Sequence, residues 1–125
     1  FELNFYNMPE DARFMITDRF ALAETAAYDG YCQMIPACVM GMLNEPVFDQ
    51  LPNIQLPTLV IFGENDALIP NKYLHPDLTT QMVAKDGVEQ IPTCQLQLID
   101  EAGHFVQWEQ FDLVNQAIYQ FLGKK

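Results

Sequence analysis

Serine is absent from all 125 residues. That removes the side chain most often used as an oxygen nucleophile, so any acyl chemistry this chain takes part in needs its attacking atom from elsewhere. Basic residues are nearly as scarce: six Lys and Arg against seventeen Asp and Glu leave a net charge of −11. A balance of that sign repels phosphate backbones and anionic lipid surfaces, which argues against nucleic acid and membrane as partners. No run of about 18 apolar residues occurs, and the opening Phe1-Glu2-Leu3-Asn4-Phe5 lacks the charged-then-apolar grammar of a signal peptide. The first residue is Phe rather than Met, which fits an upstream part having been trimmed. Cysteine is limited to Cys32, Cys38 and Cys94, an odd number without metal-ligand spacing. Reduced, mostly buried thiols fit better than a disulfide framework, and with them a cytoplasmic location.

What is present is apolar: half of the residues, enough for the packed core of one domain. Residues 10–50 are rich in Ala, Met and aromatics and read as helical. Over Asp11 to Ala27 the large residues Phe14, Met15, Phe20 and Leu22 fall on no single stripe. Gly30 is expected to interrupt this helix, and Pro36 to open a further short one from Ala37 to Leu43, because a first turn does not need the amide that proline lacks. Turns at Asn44-Glu45-Pro46 and Leu51-Pro52-Asn53 lead out of the segment.

Residues 57–63, Pro-Thr-Leu-Val-Ile-Phe-Gly, are apolar on both alternating faces and read as a central parallel strand. Residues 94–100 alternate instead, with Cys94, Leu96 and Leu98 opposite Gln95 and Gln97, which suits an edge strand. Between them Asp77 is expected to cap a helix through Leu78, Met82 and Val83 that closes near Gly87. The unit is strand, helix, parallel strand, with a right-handed crossover. A last helix, capped by Asp112, carries the stripe Leu113, Val114, Ala117, Ile118, Phe121 and Leu122. Burying that stripe on the sheet would contribute roughly 10 kcal/mol before entropy is subtracted.

A strand covered on both faces needs neighbours on both edges, and residues 94–100 supply one. Phe1, Leu3 and Phe5 alternate with Glu2 and Asn4, but a polar second face makes them a poor match for the other. The open edge invites completion by a missing half, self-association or aggregation.

Two side chains stand out at strand ends: Asp66, in Gly63-Glu64-Asn65-Asp66, and His104, in Ala102-Gly103-His104-Phe105. A carboxylate and an imidazole at the ends of successive strands suit orienting and general-base work, because such positions are rigid and open to solvent on one side. Each has a plainer reading, Asp66 as the cap of a turn and His104 as a satisfied core histidine. Cys32, in Gly30-Tyr31-Cys32, is half of a nucleophile elbow, yet Met34 replaces the second glycine and no strand leads in. A metal site from His75, Asp77 and His104 is disfavoured. Phe105 and Trp108 flank the histidine and are candidates for a substrate pocket as well as for core packing. Met34, with Met40 and Met42, is a candidate lining for an apolar ligand, since thioethers adapt to irregular shapes.

In combination, Pro57 through Asp66, Ile69-Pro70, Gly103-His104, and then Phe105, Gln107, Glu109 and a closing helix, resemble the C-terminal part of the α/β-hydrolase superfamily. The likeness covers residues 51–122 and is looser over residues 1–50, which resemble the helical cap such enzymes insert before this strand. It departs at Gln110-Phe111, where relatives often carry a proline. The resemblance implies an α/β fold with a cap segment over residues 1–50 and the C-terminal part of the core over 51–125. It makes Asp66 the acid that orients the imidazole and His104 the base, in a nucleophile–His–Asp triad acting on a small, largely apolar ester or related bond. No cofactor and no metal is implied. The family's nucleophile elbow, commonly Gly-x-Ser-x-Gly, is not in this sequence. Serine esterases are therefore not separated from the relatives that attack with aspartate, epoxide hydrolases and haloalkane dehalogenases. The chain alone is expected to be inactive, with the N-terminal half of the fold as its partner. The alternative is an interaction module that completes or copies a hydrolase fold without turnover.

Overall fold

Pro57 has no amide to give to a ladder, and the run that follows it, Thr-Leu-Val-Ile-Phe, is apolar and partly β-branched; strand β1 accordingly spans Thr58–Gly63. In the computed structural model, which describes residues 1–123, β1 pairs in parallel with β2, Cys94–Ile99, in register from Thr58 opposite Cys94 to Gly63 opposite Ile99. Thr58 to Phe62 are half-buried on both faces, whereas β2 exposes Gln95 and Gln97. These two strands form the whole sheet among the described residues.

Before the sheet come 3-10 turns at Glu2–Asn4 and Glu10–Ala12, helices α1 (Phe14–Ala23) and α2 (Tyr28–Asn44), and a 3-10 turn at Phe48–Asn53. Helix α3 (Thr80–Glu89) joins the strands and packs on both. After β2, a single-turn α4 (Val106–Glu109) leads into α5 (Phe111–Phe121). Ile99, Ala102, Val106 and Val114 form the core cluster, with Ile61 packed against it. The core therefore lies directly behind the loop that carries His104. No helix among the described residues is long and apolar enough to cross a membrane.

Several local expectations are corrected. Helix α2 runs unbroken through Gly30 and Pro36. Gly30 falls in its first turn, where amides have no helical partner to lose. At Pro36 the carbonyl deprived of its amide belongs to Cys32, which is exposed and can be hydrated, and the neighbouring Ala37, Met34 and Met40 favour helix. Thr79, not Asp77, caps α3: its hydroxyl accepts the Met82 amide at 3.2 Å. The helix passes Gly87, which keeps a right-handed conformation, and closes at Glu89. At α5 the capping position is Gln110, and Asp112 lies inside the first turn, where its charge faces the positive end of the helix.

The α5 stripe is far less covered than its periodicity promises. Only Val114 is buried, while Leu113, Ile118 and Leu122 are 47%, 38% and 55% exposed. A sheet of two strands is too narrow to cover a face of three turns, so most of the burial foreseen for that stripe is not realised. Phe1, Leu3 and Phe5 do not extend as a strand: they turn through the 3-10 segment and bury Phe5 beneath Phe105. Nor are the thiols mostly buried. All three are free, Cys32 and Cys38 are exposed on α2, and only Cys94, on β2, is half-buried, enough for burial to push its thiol above the usual range.

Candidate active site

Gly63 closes β1 where the backbone of the next loop crosses it. A Cβ there would collide with the carbonyl oxygens of Gly103 and Ala102, so only glycine lets the two strand-end loops meet. They meet through main-chain bonds: the Glu64 amide donates to Ile99 O at 2.8 Å and the Asn65 amide to Ala102 O at 3.0 Å. The turn carrying Asp66 is thereby tied to the loop carrying His104 before any side chain is counted.

Asp66 then serves two functions with two oxygens. Its Oδ1 accepts the amides of Leu68 and Ile69 at 2.8 and 3.1 Å, as a turn-capping aspartate does. Its Oδ2 lies 2.8 Å from Nδ1 of His104. The turn cap occupies one oxygen and the contact with the imidazole the other. The carboxylate is 3% exposed and the imidazole 39%, so the acid is shielded and the base reaches solvent. Thr80 fixes the far side of the turn, its hydroxyl bonding the Ile69 carbonyl at 2.7 Å and lying 3.3 Å from that of Asp66.

The tautomer follows from the partners. An ionised carboxylate only accepts, so Nδ1 donates, and in the neutral ring Nε2 keeps its lone pair. Such a group takes a proton at Nε2 while the buried charge of Asp66 stabilises the imidazolium that results. Chemically, the arrangement can act as an oriented base.

The other candidate residues are distributed around it. Phe105 follows His104 directly, its ring 5.9 Å from the imidazole and edge-on to Phe5 at 5.2 Å. Trp108 donates its indole N–H to Asp11 at 3.2 Å and packs on Phe14 of α1, lining a cleft of about 590 Å³ with Asn7, Pro9, Asp11 and Glu101. His104 is not part of that lining. Met34 is 51% exposed on α2, a helix that packs extensively on none of β1, β2, α4 and α5. Cys32 sits inside α2 rather than on a strand-to-helix elbow. His75 lines an apolar groove of about 790 Å³ between β1, α3 and the Phe48–Asn53 turn. Thr80 and the amides of Leu68 and Ile69 escaped the sequence reading, since nothing in their spacing marks a backbone turn closing on a carboxylate.

No family model matches the chain. Among curated proteins it is similar to a 2-hydroxy-6-oxononadienedioate/2-hydroxy-6-oxononatrienedioate hydrolase of a Pseudomonas species, 31% identical over 74 residues, which is 59% of this chain and 23% of that one. It is also similar to the carboxylesterase YbfK of Bacillus subtilis, 32% identical over 73 residues, 58% of this chain and 22% of the relative. Human epoxide hydrolase 4 is 30% identical over 93 residues, 70% and 23% of the two chains. Among solved structures it matches MGS-M2, an α/β-hydrolase enzyme from a Medee basin deep-sea metagenome library, with TM-score 0.48 and 28% identity over 63% of this chain and 25% of that one. The hydrolases it matches support the α/β-hydrolase superfamily for this chain. Its matched part spans under a quarter of the length of these curated relatives.

Proposed function

We propose that this chain supplies the acid and the base of a hydrolytic triad, Asp66 and His104, to an α/β-hydrolase whose nucleophile lies outside these 125 residues. One observation carries the reading: a buried carboxylate 2.8 Å from Nδ1 of a half-exposed imidazole, at the ends of two parallel strands. The substrate is a small, largely apolar ester or related bond. With a serine nucleophile, Nε2 of His104 takes the hydroxyl proton as the oxygen attacks the carbonyl, then returns it to the leaving alcohol. The same nitrogen next deprotonates the water that releases the acid. With an aspartate nucleophile, His104 acts only in the second half, activating water against the covalent ester. Relatives named carboxylesterase and epoxide hydrolase keep both routes in view.

In this reading residues 1–50 act as a cap, and Phe105, whose ring lies beside the imidazole, borders the reacting end of the pocket. The chemistry needs no metal and no cofactor. The partner is the remainder of the same fold, which would pair with the open edge of β1.

A second reading rests on that same edge. The apolar groove beside it, lined by Phe48, Leu51, Val60, Phe62 and Ile69, suits a module that completes a fold, or pairs with its own copy, without turnover.

Hydrolysis of a short-chain chromogenic ester separates the readings. The chain alone should be inert and should gain activity with an N-terminal half bearing a nucleophile elbow. Turnover by the chain alone contradicts the absent nucleophile, and none after stable assembly favours the module.

A further inference from the structure

Glu109 closes the single turn of α4, and its carboxylate reaches back to two amides far apart in sequence. Oε2 accepts the Gly103 amide at 2.7 Å, and Oε1 accepts the Asn7 amide at 2.8 Å. Gly103 directly precedes His104. On the other side of the histidine, the Phe105 amide donates to the Asn4 carbonyl at 3.0 Å. The segment Asn4 to Asn7 thus runs against the histidine loop so closely that a Cβ on Gly103 would lie 2.7 Å from the Tyr6 nitrogen and 2.8 Å from the Phe5 carbonyl carbon. Gly103 is buried, so its amide has no water to fall back on.

From this geometry we infer that Glu109 is a positioning residue for His104: it locks the main chain of the histidine loop to the Asn4–Asn7 segment so that the imidazole stays on Asp66. The inference rests on the acid–base reading of that pair. The residue type is specific to the task. Two amides pointing at one side chain need two acceptor atoms, which a carboxylate offers and a carboxamide does not, and bonds to a charged acceptor are the stronger kind. Without Glu109 the loop keeps one tie to the Asn4–Asn7 segment, Phe105 to Asn4, and the Ala102 carbonyl stays on the Asn65 amide, so the stretch between those two bonds can pivot. The imidazole then samples orientations in which Nδ1 leaves the Asp66 carboxylate.

The ring nitrogen resonances of His104 report this directly, recorded at a pH above which they no longer move. In the unaltered 125-residue chain they should show the proton held on Nδ1. Glu109→Ala should let the tautomers mix, changing their ratio by roughly tenfold or more, the scale of a lost bond to a charged group. Glu109→Gln keeps one acceptor and should fall between, and it decides the matter alone if the alanine variant does not fold. Ile91→Ala, which truncates a buried side chain between α3 and the start of β2, at the end of the sheet away from His104, controls for lost stability and should leave the ratio unchanged. A single Nδ1–H tautomer persisting in both Glu109 variants, with melting lowered as in Ile91→Ala, would make Glu109 merely structural and overturn the inference. Mixed tautomers already present in the unaltered chain would overturn the Asp66–His104 pairing itself, a failure distinct from that of Glu109.

Discussion

Helices α1 and α2 bury none of their residues, whereas the stretch from β1 to α5 encloses a core around Ile99, Ala102, Val106 and Val114. Apolar content does not separate the two regions: α2 alone carries Met34, Ile35, Val39, Met40, Met42 and Leu43, every one exposed. The difference is the frame. In the C-terminal region two paired strands fix the positions of α3, α4 and α5, and small residues at Gly63, Ala102 and Gly103 let the loops interlock. In the N-terminal region nothing plays the part of the sheet, so apolar side chains of the same type meet water. Hydrophobic composition supplies a driving force, and only a shaped counter-surface turns it into a core.

The comparison carries to the site, because Asp66 and His104 both stand on strand-end loops of the framed region. His104→Ala, in the enzyme assembled with its nucleophile-bearing half, should lower kcat by about six orders of magnitude, the scale seen when a triad loses its base. Its melting temperature should move little, since the imidazole is 39% exposed and fills no core volume. Steady-state kinetics beside a melting curve checks both parts. Unchanged turnover would remove the base from His104.

Glycine to alanine tests the frame with one chemical change applied in both regions. Gly63→Ala drives a methyl into the carbonyls of Ala102 and Gly103, and rigid backbone cannot step aside, so a loss of about 3 kcal/mol is expected. Gly103→Ala meets the Asn4–Tyr6 backbone at 2.7–2.9 Å and should cost about 2 kcal/mol. Gly41→Ala lies in α2 with nothing within 4 Å, and replacing glycine in an exposed helix should stabilise it by about 0.5–1 kcal/mol. Denaturant titration reads all three. A destabilising Gly41→Ala would mean that α2 is covered in solution and that the contrast between the regions is false.

A milder probe removes methyl groups instead of adding one. Val114→Ala should cost about 1–2 kcal/mol because Val114 is buried in the core cluster, and Met40→Ala should stay within about 0.5 kcal/mol because Met40 is exposed. Equal losses at the two positions would again place a counter-surface on α2.

What the sequence made legible divides along the same line. The run at residues 58–62, the alternation at 94–99 and the two strand-end residues were readable as local patterns, and the helix between the strands, which demands a crossover, carried their parallel pairing. The course of α2 through Pro36 was not, since the cost of a proline depends on whether the freed carbonyl meets water, which is a fact of tertiary structure. The exposure of the α5 stripe was hidden for a related reason: periodicity tells which face is apolar and not how wide a sheet lies opposite. At the site, Asp66 and His104 carried a signal through their motifs. Leu68 and Ile69 act through their amides, where side-chain identity leaves no trace, and the Thr80 hydroxyl bonds carbonyls 11 and 14 residues away that nothing beside it in sequence announces.

The thiols give the smallest and most local test, because one of them sits in the framed region and two outside it. Burial raises the Cys94 thiol above its ordinary range, so at a given pH less of it is thiolate, the form that attacks an alkylating agent. Cys32 and Cys38 are exposed on α2. With iodoacetamide near pH 8, mass spectrometry of the folded chain should find Cys32 and Cys38 modified before Cys94. Raising the pH should narrow the gap, since a raised thiol is the last to ionise. The sign for stability follows from the same shift: the folded chain holds the Cys94 proton more tightly than the unfolded one. That contribution is fully present below the ordinary thiol pKa and is lost as pH rises through the elevated one. If Cys94 instead reacts first, β2 is open at its beginning, and the frame that distinguishes the two regions loosens at the end of the strand away from the site.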